Sequence, residues 1–156
     1  MWPFFSDPEK YEQIFYGQKD SLWSSGFDPS KPTKILIHGF RGKHYGSFPK
    51  NVKNAYLETK SKHDYNVIVL DWKALALPVP ESFFRGTSYP GAVKNVKIVA
   101  DGLAAFIVWL EKDFDVNLDQ VHLIGHSLGA HVAGNAGHTV IQRLGHPLGR
   151  ITGELH

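Results

Sequence analysis

Val121-His122-Leu123-Ile124-Gly125-His126-Ser127-Leu128-Gly129-Ala130-His131-Val132-Ala133-Gly134 decides the fold of this chain. Val121–Ile124 has the length and composition of a parallel strand buried on both faces. Ala130–Gly134 opens a helix without a gap. Between them stands a G-x-S-x-G, running from Gly125 through His126, Ser127 and Leu128 to Gly129. Taken alone, that pattern describes any glycine-capped loop. Set between a strand and a helix it reads as a nucleophile elbow, a sharp turn that holds the serine at strained angles with its hydroxyl clear of the sheet. Gly125 and Gly129 fit there because a side chain at either position would collide with the neighbouring strand and helix. The Leu128 N–H then starts the helix, whose dipole favours negative charge. It faces an oxyanion developing beside Ser127.

Working outward, Lys34–His38 is an apolar strand that breaks at Gly39, and Tyr65–Leu70 is a second one ending at Asp71-Trp72. Phe48–Ser61 has the spacing of a helix, with Val52, Ala55, Tyr56 and Thr59 on its inner face. Residues 73–90 contain Pro78, Pro80, Gly86 and Pro90 and read as a long loop. From Ala92 to Lys112, Val93, Val96, Val99, Leu103, Phe106, Ile107 and Leu110 recur at helical spacing. Asp113 and Asp115 mark its exit. After the elbow, a helix reaches about Arg143, Gly145-His146-Pro147 turns, and Arg150-Ile151-Thr152 starts another strand. Residues 1–33 are rich in aromatics and proline and read as irregular, with at most a short edge strand. Strands alternating with helices predict an α/β fold, a mostly parallel sheet of about four strands with helices on both faces. Sites in such sheets lie beyond the carboxyl ends of the strands, where both Gly39-Phe40 and Ser127 fall.

The composition narrows the function. The chain has 156 residues, at most one domain, and is 42% hydrophobic, enough for a real core. A net charge of +2 is too mild to imply nucleic acid. The absence of cysteine excludes a disulfide framework, a thiol nucleophile and a thiolate zinc site. The longest apolar run, Leu103–Leu110, is too short to span a bilayer. Met1–Ser6 has neither the charged nor the apolar region of a secretion signal. Nine histidines raise a metal reading, but His131 and His138 have no acidic companions in a ligating pattern. No metal and no cofactor is expected.

Several blocks occur in one order: Ile37-His38-Gly39-Phe40, Val69-Leu70-Asp71-Trp72, Tyr89 with Ala92 and Asn95, Val121 to His131, and Gly149-Arg150-Ile151-Thr152-Gly153. Over roughly residues 27–153 the chain resembles the animal pancreatic-lipase family. That family also holds endothelial, hepatic and lipoprotein lipases and the phospholipase A1 enzymes of insect venoms. The resemblance implies a partial α/β-hydrolase and a secreted carboxylic ester hydrolase. Its substrate would be a lipid ester at a lipid–water interface, either a triacylglycerol or a phospholipid. Ser127 matches the nucleophile, and the backbone N–H groups of Phe40 and Leu128 match the oxyanion hole.

The pattern departs from the family after Gly153. The family continues Leu-Asp-Pro-Ala, whose Asp is the triad acid, and its catalytic His comes far downstream. Here Glu154-Leu155-His156 follow, and Leu155 holds the Asp position. The triad acid and base are therefore not identified, and residues 1–156 read as one incomplete hydrolase domain. Glu154 and His156 stand in the order acid then histidine. A histidine two residues past the acid shares its strand end and cannot readily bridge it to Ser127, so both read as a tail. Asp71 reads as a hydrogen-bonding residue at a strand end, and Asp101 as solvated or paired. His38 and His126 flank the site without serving as its base. In the loop 73–90, Leu75, Leu77, Val79, Phe83, Phe84 and Tyr89 suit either a lipid-facing rim or packing over the sheet edge. Two rivals remain: a non-catalytic lipase-like protein of the yolk type, and an inactive fragment. Ser127 with both elbow glycines favours the enzyme lineage.

Overall fold

The computed structural model describes residues 4–6, 12–58, 65–76 and 88–154. Four parallel strands form its centre: β3 (Thr33–Ile37), β4 (Asn66–Leu70), β5 (Val121–His126) and β6 (Arg150–Glu154). Two short strands extend it: β1 (Phe4–Ser6) pairs antiparallel with β4, and β2 (Glu12–Ile14) pairs antiparallel with β1, giving the order β2-β1-β4-β3-β5-β6. The amino-terminal region is thus not irregular. It also carries the helix α1 (Lys19–Ser24), and β1 lies inside the sheet. Strands of three residues are too short to show a period; β1 is defined by the open edge of β4, and β2 by that of β1.

The core divides between the two faces of the sheet. Ile35, Ile37, Ile68, Leu70 and Leu123 pack toward α4 (Ser88–Phe114) and α5 (Leu128–Leu144), and Leu36, Val67 and Val69 pack with Val52 and Tyr56 of α2 (Ser47–Glu58). In α4, Val96, Val99, Leu103, Phe106, Ile107 and Leu110 are buried as their spacing predicts. Val93 is exposed instead, because at that end Ala92 takes the inward position. The helix starts at Ser88, inside the expected loop, because a proline in the first turn costs no hydrogen bond. A short helix, α3 (Lys73–Ala76), occupies the start of that loop.

On α2, Ala55 is exposed, whereas Pro49 and Lys53 are buried; the buried stripe runs through Pro49, Val52, Lys53 and Tyr56. A lysine stem covers apolar surface as well as an alanine does. Thr59 lies outside the described residues, as do Leu77, Val79, Phe83, Phe84 and His156. Glu154 is no tail: it closes β6, and its carbonyl accepts a 2.6 Å hydrogen bond from the Ser127 N–H. At the other end of α5, Gly145 takes the left-handed conformation (φ 82°) and donates its N–H to the Ile141 carbonyl.

Candidate active site

β5 ends at His126 and α5 begins at Leu128, so one residue makes the whole turn. That residue is Ser127, with φ 53° and ψ −122°. A non-glycine side chain in this region costs of order 1–3 kcal/mol, held in place by what surrounds it. The surroundings are tight. A Cβ on Gly125 would lie 2.6 Å from the Gly129 carbonyl carbon. A Cβ on Gly129 would overlap the Ile37 carbonyl oxygen and lie 2.6 Å from that of His38. The two elbow glycines therefore let α5 descend onto the carboxyl ends of both β5 and β3.

The loop after β3 closes against the same point. Ile37 is level with Gly125 across the two strands. A Cβ on Gly39 would sit 3.0 Å from the Ser127 Cβ and 2.9 Å from the His126 carbonyl oxygen. This puts the backbone at Gly39-Phe40 beside the serine. A turn shapes it: the Gly42 N–H donates to the Gly39 carbonyl at 3.0 Å, and Arg41 adopts φ 59°. The Phe40 ring meets Tyr89 edge-on at 5.2 Å, and the Arg41 guanidinium lies 5.5 Å from the Phe40 ring centre. Tyr89, half exposed, is an aromatic of the expected rim that meets the loop, whereas Leu75 packs on the core. His126 stacks on Phe48 with ring centres 5.1 Å apart.

A buried polar cluster anchors this loop to the next strand. His38 is 1% exposed. Its Nδ1 lies 3.0 Å from the Gly39 carbonyl, and its Nε2 lies 3.3 Å from both Asp71 Oδ1 and the Trp72 N–H. The Trp72 indole N–H donates back to the His38 carbonyl at 2.7 Å. Asp71 also receives His44 Nδ1 at 2.5 Å and the Lys73 N–H at 3.0 Å. Burial alone would raise the Asp71 pKa. Hydrogen bonds from His38, the Lys73 N–H and His44 reverse this and hold it at about 2. Asp71 is thus a strand-end hydrogen-bonding residue, held by His38, His44 and the Lys73 N–H. His44 carries no sequence signal, since it stands in a glycine-rich loop 27 residues from its carboxylate. Asp101 pairs with Lys97 at 2.8 Å. Among the described residues no group of three His, Asp or Glu side chains converges as a metal site, and no helix is long and apolar enough to cross a membrane.

The sequence as a whole is similar to known proteins. A lipase family model matches residues 4–154. The chain belongs to the pancreatic-lipase family. It is 35% identical over 147 residues to pancreatic lipase-related protein 2 of Sus scrofa, covering 94% of this chain and 28% of that protein. It is 38% identical over 140 residues to lipoprotein lipase of Rattus norvegicus, covering 88% of this chain and 26% of that protein. It is 33% identical over 147 residues to pancreatic triacylglycerol lipase of Mus musculus, with 94% and 28% covered. This lipase-family chain thus spans just over a quarter of the length of these relatives. The parallel sheet and its flanking helices are the α/β architecture of a lipase domain.

Proposed function

We propose that this chain serves carboxylic ester hydrolysis on lipids, with Ser127 as nucleophile and the Phe40 and Leu128 N–H groups as the oxyanion hole. The observation that carries this reading is the left-handed Ser127 elbow pressed against Gly39. Ser127 Oγ adds to the ester carbonyl carbon, and the carbonyl oxygen takes up negative charge between the two N–H groups. The tetrahedral intermediate collapses, the alcohol leaves with a proton, and an acyl-serine remains. Water then adds to the acyl group, and the fatty acid departs as Ser127 recovers its proton. The lipid ester would be met at a lipid–water interface outside the cell, as in the lipases that the sequence resembles. No cofactor enters the scheme.

The scheme needs a base for the Ser127 proton. The described histidines beside the elbow are committed elsewhere: His38 is buried among Gly39, Asp71 and Trp72, and His126 is stacked on Phe48. We therefore assign the base to neither residue. Without a base, only the residual catalysis of the oxyanion hole and binding remains, about 10³–10⁴ over water in a serine protease. The test is hydrolysis of p-nitrophenyl butyrate by the 156-residue chain beside Ser127→Ala. The expected result is rates that do not differ. A wild-type rate well above the alanine variant would contradict the missing base and direct the search to Glu154, His156 or another histidine.

A further inference from the structure

The loop after β3 holds a second strained residue, Arg41. Gly39, Phe40, Arg41 and Gly42 form a turn closed by the Gly42 N–H on the Gly39 carbonyl, and of its two central residues only Arg41 has a positive φ, 59°. A turn of that shape ordinarily takes glycine at its third position, where a Cβ is strained. The turn is also held down. A Cβ on Gly42 would lie 2.6 Å from His38 Nδ1 and 2.8 Å from the Gly39 carbonyl oxygen. An arginine kept where glycine is the easy choice, beside a reactive serine, points to a use for its side chain.

The surroundings say what that use is. The Arg41 guanidinium lies 5.5 Å from the Phe40 ring centre, back over the residue that lends its N–H to the proposed oxyanion hole. Cation–π attraction holds it there. The stretch around it is basic: from Gly39 to Leu57 the sequence has Arg41, Lys43, Lys50 and Lys53 and no acidic residue. Lys43 reaches over the next aromatic, with its ammonium 5.5 Å from the Tyr45 ring centre. The acid that this loop does meet, Asp71, is engaged by His38, His44 and the Lys73 N–H.

We propose that Arg41 is a specificity-determining residue, binding the phosphate of a glycerophospholipid whose ester carbonyl lies at Ser127. The inference rests on the reading of Ser127 and Phe40 given above. In such a lipid the phosphate stands one glycerol unit from the ester. In the protein, a Cβ on Gly39 would sit 3.0 Å from the Ser127 Cβ, and Arg41 follows two residues on, at most ~7 Å along the backbone. The two spans are of one size. The planar fork of guanidinium N–H donors matches two phosphate oxygens at once. A triacylglycerol brings an uncharged acyl chain to the same place, and covering the guanidinium with it costs desolvation with no hydrogen bond in return.

Protection of Ser127 tests it. The 156-residue chain is labelled with a neutral alkyl fluorophosphonate at rising concentrations of dihexanoylglycerophosphate, or of dihexanoylglycerol, which differs only in lacking the phosphate. Mass spectrometry counts the Ser127 adduct. The phosphate lipid is expected to protect wild type about tenfold more tightly, an advantage that shrinks with salt. Inorganic phosphate alone does not protect. In Arg41→Gln and Arg41→Gly the ratio of the two lipids falls to about one, and Arg41→Lys, a point charge without the fork, keeps part of it. Each ratio is read within one variant, so changes in the labelling rate itself cancel. Lys112→Gln removes the same charge ~35 Å from Tyr89 along α4, and keeps the wild-type ratio. Arg41→Gly also relieves the turn, so its Tm rises by about 2–4 °C. Wild type protected equally by both lipids, or as well by inorganic phosphate, would overturn the proposal. So would an Arg41→Gln or Arg41→Gly variant that keeps the ratio, a Lys112→Gln variant that loses it, or a fall in Tm for Arg41→Gly, which would make Arg41 a packing residue. Labelling of Ser127 without a phosphate preference removes the role of Arg41 and leaves the nucleophile standing. No adduct at Ser127 in any arm removes both.

Discussion

Two glycines five residues apart on α5 should respond to alanine with opposite signs. At Gly129 an added Cβ meets the carbonyl oxygens of Ile37 and His38 and, at 2.9 Å, the Ile37 carbonyl carbon. All are backbone atoms at the end of β3, with no side chain free to swing aside. Overpacking of this kind costs about 1–3 kcal/mol, and rigid neighbours place Gly129 at the top of that range. Against this stands a helix-propensity gain of at most about 1 kcal/mol, smaller in the first turn. The net loss is about 2 kcal/mol, or a fall of roughly 4–8 °C for a chain of this size. At Gly134 a Cβ meets nothing within 4 Å. Alanine there gains about 0.5–1 kcal/mol through propensity and a less flexible unfolded chain, raising Tm by about 1–4 °C. Thermal melts followed by circular dichroism on dilute protein read both. Shifts of the same sign, or a Gly129→Ala variant as stable as wild type, would refute the view that Gly129 exists to seat α5 on the end of β3.

Three further outcomes follow from the same geometry. Ser127→Gly should stabilise the fold by about 1 kcal/mol by removing the left-handed strain, whereas Ser127→Ala should not, and equal melts for the two would contradict this. Burial first, then the charges of Lys34 and Arg150, holds the His122 pKa down at about 4. Between pH 4 and 6.5 the unfolded chain binds a proton that the folded chain refuses, so stability is full above about pH 6.5 and is lost as pH falls toward 4. The loss is about 2 kcal/mol after allowance for solvent screening, and His122→Gln should flatten it in denaturant titrations. Asp71 has a depressed pKa and a side chain 14% exposed, so its contribution is present above about pH 4 and lost as pH falls toward 2. Asp71→Asn should remove about 1–2 kcal/mol at pH 7 and flatten that acid limb in the same titrations.

Much of this architecture was legible because its central strands are buried on both faces. A continuous apolar run such as Val67–Leu70 announces itself, and so does the long period of α4. What could not be read was set by contacts distant in sequence. β1 exists because β4 offers an edge, and β2 because β1 offers the next one. Lys53 is buried where Ala55 is exposed, and nothing in the local sequence marks a lysine for burial. At the site, Gly125, Ser127 and Gly129 were readable because their spacing states a backbone geometry. The anchoring of the loop by His44 and Asp71 was not, since a histidine among glycines fits a solvated loop equally well.

The central claim is that Ser127 is the nucleophile. The direct measurement is covalent capture: incubate the chain with an alkyl fluorophosphonate, which bonds a serine oxygen to phosphorus with loss of fluoride, and map the adduct by peptide mass spectrometry. The account predicts a slow, single adduct on Ser127, faster than on any other serine, and none in Ser127→Ala. An adduct distributed over other serines, or equal labelling of the alanine variant, would contradict it.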